Sequence, residues 1–255
     1  MIVRKSDAEI ETMARAGEVV AEVLDLLAAE ARPGVTTAQL DRTAERFIRG
    51  RGGVPTFKGY RGFPGSICAS PNSMIVHGIP DGYRLRDGDI LSIDVGVTLD
   101  GYVADSAITV AIGEVPDEAR ALMDACCSSL EAAIENCRAG NRLGDVSHAV
   151  QEVVEARGFG VVRELVGHGV GRQMHEDPQI PNYGEAGRGP KLQPGMVLAI
   201  EPMITAGDWR IRSEGWNVYT VDGSLAAHCE HTVAVTRNGP RVLTRRRAAG
   251  EGSAQ

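Results

Sequence analysis

One pattern occurs twice in this chain: a turn glycine, a run dominated by Ile, Leu and Val, and an acid six positions after the glycine. The first copy is Gly88-Asp89-Ile90-Leu91-Ser92-Ile93-Asp94 and the second, about a hundred residues on, is Gly195-Met196-Val197-Leu198-Ala199-Ile200-Glu201. An apolar run bounded by a glycine turn reads as a buried strand. An ionised carboxylate at its inner end is very costly unless a cation lies beside it. Each copy is therefore expected to deliver a metal ligand. A second acid follows each on a further strand-like stretch: Asp105 before Ala107-Ile108-Thr109-Val110, and Glu230 before Thr232-Val233-Ala234-Val235. With His168 between them, these four carboxylates describe a site at the seam of a pseudo-symmetric domain.

The rest of the pattern repeats the duplication. Ser6-Asp7-Ala8-Glu9 is a capping box, opening a helix with Ile10, Met13, Gly17, Val20, Leu24 and Leu27 on one stripe that stops before Pro33-Gly34. Thr36 and Gln39 suggest a second box and a shorter helix. Two more helices are expected over Pro116 to Ala139 and Leu143 to Arg157. Strands are expected at Ser66 to Ser70 and at Met74 to Pro80, the latter carrying His77, and a loop from Pro178 to Gly195. Helix pairs alternating with strand clusters imply an α+β fold, a curved antiparallel sheet backed by two helix pairs. A single domain over residues 1–247 is expected, with 248–255 as a mobile tail.

Composition narrows the function. A net charge of -7 argues against a broad nucleic-acid footprint, and the one dense basic run, Arg245-Arg246-Arg247, reads as a solvated terminus. Five cysteines without CxxC spacing support neither a disulfide framework nor a zinc knuckle. The first residues lack the apolar core of a signal peptide, and no later stretch is apolar enough to span a bilayer, so a cytoplasmic location with no membrane partner is expected. In a chain only 4% aromatic, Gly52 to Pro64 holds Phe57, Tyr60 and Phe63, which suggests a loop lining a pocket.

Four carboxylates and one imidazole do not make the closed Cys/His shell of structural zinc. Oxygen-rich ligation suits a pair of divalent ions, Mn, Fe(II), Co or catalytic Zn, activating a shared water. His168 stands in Gly167-His168-Gly169-Val170-Gly171, read as a flexible turn. His175 lies seven residues later in the same segment and His77 approaches the same region. Either imidazole is placed to hydrogen-bond a scissile carbonyl or the oxyanion formed from it. His148, in a helical pattern, reads as surface.

Four short stretches then resemble the type I methionine aminopeptidases: His77-Gly78-Ile79-Pro80, Gly167-His168-Gly169-Val170-Gly171-Arg172, Ile200-Glu201-Pro202-Met203 and Cys229-Glu230-His231-Thr232. The likeness runs from Ser6 to about Leu243. It implies the pseudo-twofold pita-bread fold in its compact bacterial form, with neither an N-terminal zinc-binding extension nor the insertion of the type II enzymes. It further implies that Asp94 and Asp105 bind one metal, His168 and Glu201 the other, and that Asp105 and Glu230 bridge. Glu201 would pass a proton to the leaving amine, His77 would contact the leaving peptide, and His175 would steady the scissile carbonyl. Tyr60, Phe63, Cys68 and Trp216 fall where the family builds its methionine pocket. Met174 stands there too, where many members carry Phe, as do Phe57 and Phe63 where other residues are common.

The activity so implied is removal of the initiator methionine from nascent chains with a small second residue, by a monomer that meets the ribosome transiently. An X-Pro aminopeptidase or dipeptidase of the same fold is the alternative enzyme. A pita-bread binding protein that has lost catalysis is the alternative outside catalysis, disfavoured because all five ligand positions are filled.

Overall fold

The computed structural model describes residues 1–246. Helix α1 (Asp7–Glu30) opens on the expected capping box, with Glu9 N–H donating to Ser6 Oγ and Ser6 N–H to the Glu9 carboxylate. Its apolar stripe is wholly buried, and Gly17 is required on it because a Cβ there would lie 2.1 Å from the Leu243 carbonyl. Helix α2 (Thr37–Gly50) opens on a box of Thr36 and Gln39. Helices α3 (Asp117–Asn136) and α4 (Leu143–Ala156) form the second pair.

Each helix pair backs one antiparallel ladder. In the first, strand Ile90–Leu99 pairs with Tyr102–Ala111 on one edge and with Cys68–Pro71 and Val54–Pro55 on the other. Leu91, Ile93 and Val95 bury against Leu24, Leu27, Leu40 and Ile48 of α1 and α2. In the second, strand Val197–Ile200 lies between His231–Thr236 and Val166–Gly169, with Gly239–Val242 and Glu176–Pro181 outermost. Leu198, Ile200 and Val233 bury against Leu122, Leu130 and Val150 of α3 and α4. Full burial of each such side chain is worth ~1.5–3 kcal/mol, so each half has its own core.

A seam joins the ladders. Glu230 N–H donates to the Ala107 carbonyl (2.9 Å), and Asp105 N–H to Thr232 Oγ1 (2.9 Å), which in turn donates to the Asp105 carbonyl (2.7 Å). Among the described residues there are also two smaller ladders, one built on Met203–Thr205 and one on Asn217–Thr220.

Three expectations need correction. The strand carrying His77 is Met74–Val76, and His77 itself turns into the left-handed region at φ 60°. The stretch from Pro178 is not all loop, because its first residues continue strand Glu176–Pro181, whose prolines sit on the edge of the ladder where a missing N–H costs little. The basic run is not simply solvated: Arg246 pairs with Asp25 on α1, and Arg245 with Glu131 on α3. Arg247 and the tail expected to be mobile, 248–255, lie outside the described residues.

Candidate metal centre

Strand alternation gathers the acids. Across the first ladder Asp94 faces Cys68 and Ala107, and Gly96 faces Asp105, so Asp94 and Asp105 point from the same side of the sheet as diagonal neighbours. The residues opposite them are small, and Phe57 packs on Gly96, where a Cβ would lie 2.7 Å from its ring. In the second ladder Ala199 lies between His168 and Thr232, and the pairing of Ile200 with His231 carries Glu201 round to Glu230. Ala199 again leaves room above the sheet.

His168 is not on a turn. It lies in strand Val166–Gly169, and its glycines are there for space: a Cβ on Gly167 would meet the Ala199 carbonyl at 2.4 Å, and one on Gly169 the Asp177 carbonyl at 2.1 Å. The glycines let two strands close in around the imidazole.

The five groups converge. His168 Nε2 is 3.5 Å from Glu201 Oε1 and 3.8 Å from Asp105 Oδ2. Ligand atoms of Asp105, His168 and Glu230 all lie within 4.8 Å of one another. Asp105 Oδ1, Glu230 Oε1 and Asp94 Oδ1 are enclosed and have no hydrogen-bond partner. Burial raises Asp94 to about 7. Burial, reinforced by neighbouring carboxylates, pushes Asp105, Glu201 and Glu230 well above the usual carboxylate range. Burial and the nearby His175 lower His168 to about 4. His168 Nδ1 is 3.0 Å from the Gly169 carbonyl, which takes the proton there and leaves the Nε2 lone pair facing the acids. Buried oxygens without hydrogen-bond partners beside an imidazole lone pair form a candidate ligand set, and a mostly oxygen set suits hard to borderline divalent ions.

This cluster floors a cavity of about 290 Å³. Phe63 forms one wall, edge-on to Phe57 (6.5 Å between centroids) and to Trp216 (5.4 Å). Cys68 and Met174 complete the apolar lining, and His77 stands edge-on to Trp216 at 6.1 Å. At the mouth the His175 ring lies 4.2 Å from that of His168, and its Nδ1 is 2.8 Å from Tyr60 Oη. Burial lowers the pKa of both His77 and His175, and Arg61 adds to the effect on His175. Every residue expected at the site lines this one cavity. His148 is exposed, with Nδ1 against the Gly184 carbonyl, and Trp209, close in sequence to Glu201, stacks instead with Arg163 and Arg210.

Sequence reasoning missed several neighbours. His228 is 2% exposed, has no partner at either ring nitrogen, and places Nε2 3.7 Å from Glu201 Oε2. Its position two residues before Glu230 was the available signal. Thr232, which clasps Asp105 from across the seam, and Asn182, whose Nδ2 donates to the Glu201 carbonyl (2.9 Å), gave none. Arg61 and Glu164 also line the cavity.

The model of metallopeptidase family M24 matches residues 11–237 of the chain. A methionine aminopeptidase of Clostridium acetobutylicum is 54% identical over 247 residues, covering 96% of this chain and 99% of that one. The crystal structure of a methionine aminopeptidase from Thermotoga maritima superposes with a TM-score of 0.95 at 44% identity, over 96% of this chain and all of the other. An Xaa-Pro dipeptidase from Bacillus anthracis shares the fold at a TM-score of 0.78 and 22% identity, this chain spanning 62% of it.

Proposed function

The chain belongs to metallopeptidase family M24, and on that footing we propose that it removes the N-terminal methionine of new proteins whose second residue is small. The observation that carries this reading is the convergence of Asp94, Asp105, His168, Glu201 and Glu230 on the floor of a largely apolar cavity of about 290 Å³. The many relatives between 42% and 54% identical that are named methionine aminopeptidases support it. Likeness to the dipeptidase is at the level of fold alone, which disfavours the X-Pro alternative.

In this reading Asp94 and Asp105 would hold one divalent ion and His168 and Glu201 the other, with Asp105 and Glu230 available to both. Such ions supply a Lewis acid that polarises the peptide carbonyl and makes water nucleophilic at neutral pH. The chain does the rest. Phe63, Cys68, Met174 and Trp216 enclose the thioether and exclude water, with Tyr60 at the mouth. His175 directs Nε2 at the carbonyl oxygen and donates as negative charge develops there. His77 contacts the peptide beyond the scissile bond. Glu201 takes a proton from the attacking water and hands it to the leaving amine. The ion pair is drawn from Mn, Fe(II), Co and Zn. The enzyme works as a cytoplasmic monomer with transient ribosome contact, a location in keeping with free thiols throughout and, among the described residues, no helix long and apolar enough to cross a membrane.

The test is product analysis with Met-Ala-Ser and an Xaa-Pro peptide, each metal supplied in turn. Release of methionine is expected; preference for Xaa-Pro, or no turnover with any metal, overturns the proposal.

A further inference from the structure

Two thiols outside the cavity face each other. Cys127, exposed on α3, and Cys229, buried immediately before Glu230, have their Sγ atoms 3.2 Å apart. Cys229 is tied to the backbone behind both glutamates: its N–H donates to the Pro202 carbonyl (3.3 Å), the residue after Glu201, and Cys126 donates its thiol to the same oxygen (3.4 Å). Cys126 also lies against the Cys229 thiol but is wholly buried, whereas Cys127 meets solvent, so an oxidant reaches Cys127 first.

We propose that Cys127 and Cys229 are an oxidation site, closing to a reversible disulfide under peroxide and lowering peptidase turnover by displacing the Glu230 segment. The chemistry balances with hydrogen peroxide as oxidant. The Cys127 sulfur attacks one peroxide oxygen, breaking the O–O bond and giving a sulfenic acid and one water. The Cys229 sulfur then attacks the sulfenic sulfur, forming the S–S bond and releasing a second water. Two electrons and both thiol protons leave the protein.

The coupling follows from geometry. A disulfide needs its sulfurs at ~2.05 Å, so the pair closes by about 1.2 Å. Cys229 belongs to the same second core as α3 and sits in the two-residue link between strands Ala226–His228 and His231–Thr236, which Glu230 N–H ties to the Ala107 carbonyl, so closure that draws on this link strains the seam at Glu230. Glu230 is the next residue in that link. The thiol–thiol hydrogen bond pushes the Cys127 pKa up, which keeps the thiol protonated and slows its attack on peroxide, so the bond forms only under sustained oxidation.

The activity arm rests on the peptidase reading; the cross-link arm does not. Enzyme loaded with Mn(II) is treated with hydrogen peroxide, its free thiols are alkylated, and tryptic peptides are read by mass spectrometry while methionine release is followed. A Cys127–Cys229 linked peptide is expected, with turnover falling about tenfold or more, since ~1 Å of misplacement at a site can cost ~100-fold. A thiol reductant should restore it, and Cys127→Ser should match the reduced enzyme and resist peroxide. A link through Cys126, no link between this pair, a link that leaves turnover unchanged, or an equal loss in Cys127→Ser would overturn the proposal. If untreated enzyme releases no methionine, the peptidase reading fails while the linked peptide still decides the oxidation site.

Discussion

Tyr60 and His175 are held together at the mouth of the cavity, the phenol oxygen 2.8 Å from Nδ1 and the two rings stacked at 5.5 Å. With the phenol donating to Nδ1, the imidazole proton sits on Nε2, the tautomer that can donate to a developing oxyanion. Removing the phenol hydroxyl in Tyr60→Phe should lower kcat about fivefold with little change in KM, the worth of ~1 kcal/mol for one net hydrogen bond. His175→Ala should cost about 100- to 1,000-fold in kcat, the range for losing an oxyanion donor. Steady-state kinetics on Met-Ala-Ser checks both.

Glu201→Gln keeps the shape of the side chain and removes its proton-carrying role. A fall in kcat of about 100- to 10,000-fold is expected, with the fold intact by circular dichroism.

The buried acids make stability depend on pH when divalent ions are chelated. Burial raises Asp94 from 3.8 to about 7 on folding, and burial with neighbouring carboxylates likewise pushes Asp105, Glu201 and Glu230 well above the usual carboxylate range. The folded state therefore binds more protons than the unfolded chain, and stability falls as pH rises toward those folded values. His168 and His228, lowered to about 4 and about 3, act oppositely but only below their ordinary 6.5. Above about pH 6.5 the carboxylates act alone, so the Tm of chelated protein should fall steadily to about pH 8, and Mn(II) should abolish that slope. Thermal melts across this range with and without chelator check it.

Gly167→Ala places a methyl against the Ala199 carbonyl, at 2.4 Å, and near Glu201 Cγ, at 3.3 Å. A backbone oxygen cannot swing aside, so the strands bearing His168 and Glu201 must part. A loss of about 1–3 kcal/mol is expected in denaturant melts, together with weaker Mn(II) binding in titration calorimetry. Met174→Phe, by contrast, exchanges one apolar wall residue for another and should retain most turnover.

The carboxylate strands were legible because local rules govern them: a glycine turn and an apolar run mark each strand and the acid at its inner end, whereas the shared face of Asp94 and Asp105 needed the hairpin register that pairs Gly96 with Asp105. His168 was misread because glycines that signal a turn locally are, in the folded chain, the only residues that fit between strand Val197–Ile200 and strand Glu176–Pro181. The clasp of Thr232 on Asp105 joins residues 127 apart in sequence and leaves no local trace. His228 was visible as a residue, yet its meaning depends on Glu201 arriving from another strand.

Anomalous diffraction at the manganese edge, from crystals grown with Mn(II), tests directly whether five side chains from both halves of the molecule share divalent ions. Two peaks are expected, both enclosed by Asp94, Asp105, His168, Glu201 and Glu230. Peaks elsewhere, or none among these groups, would contradict it.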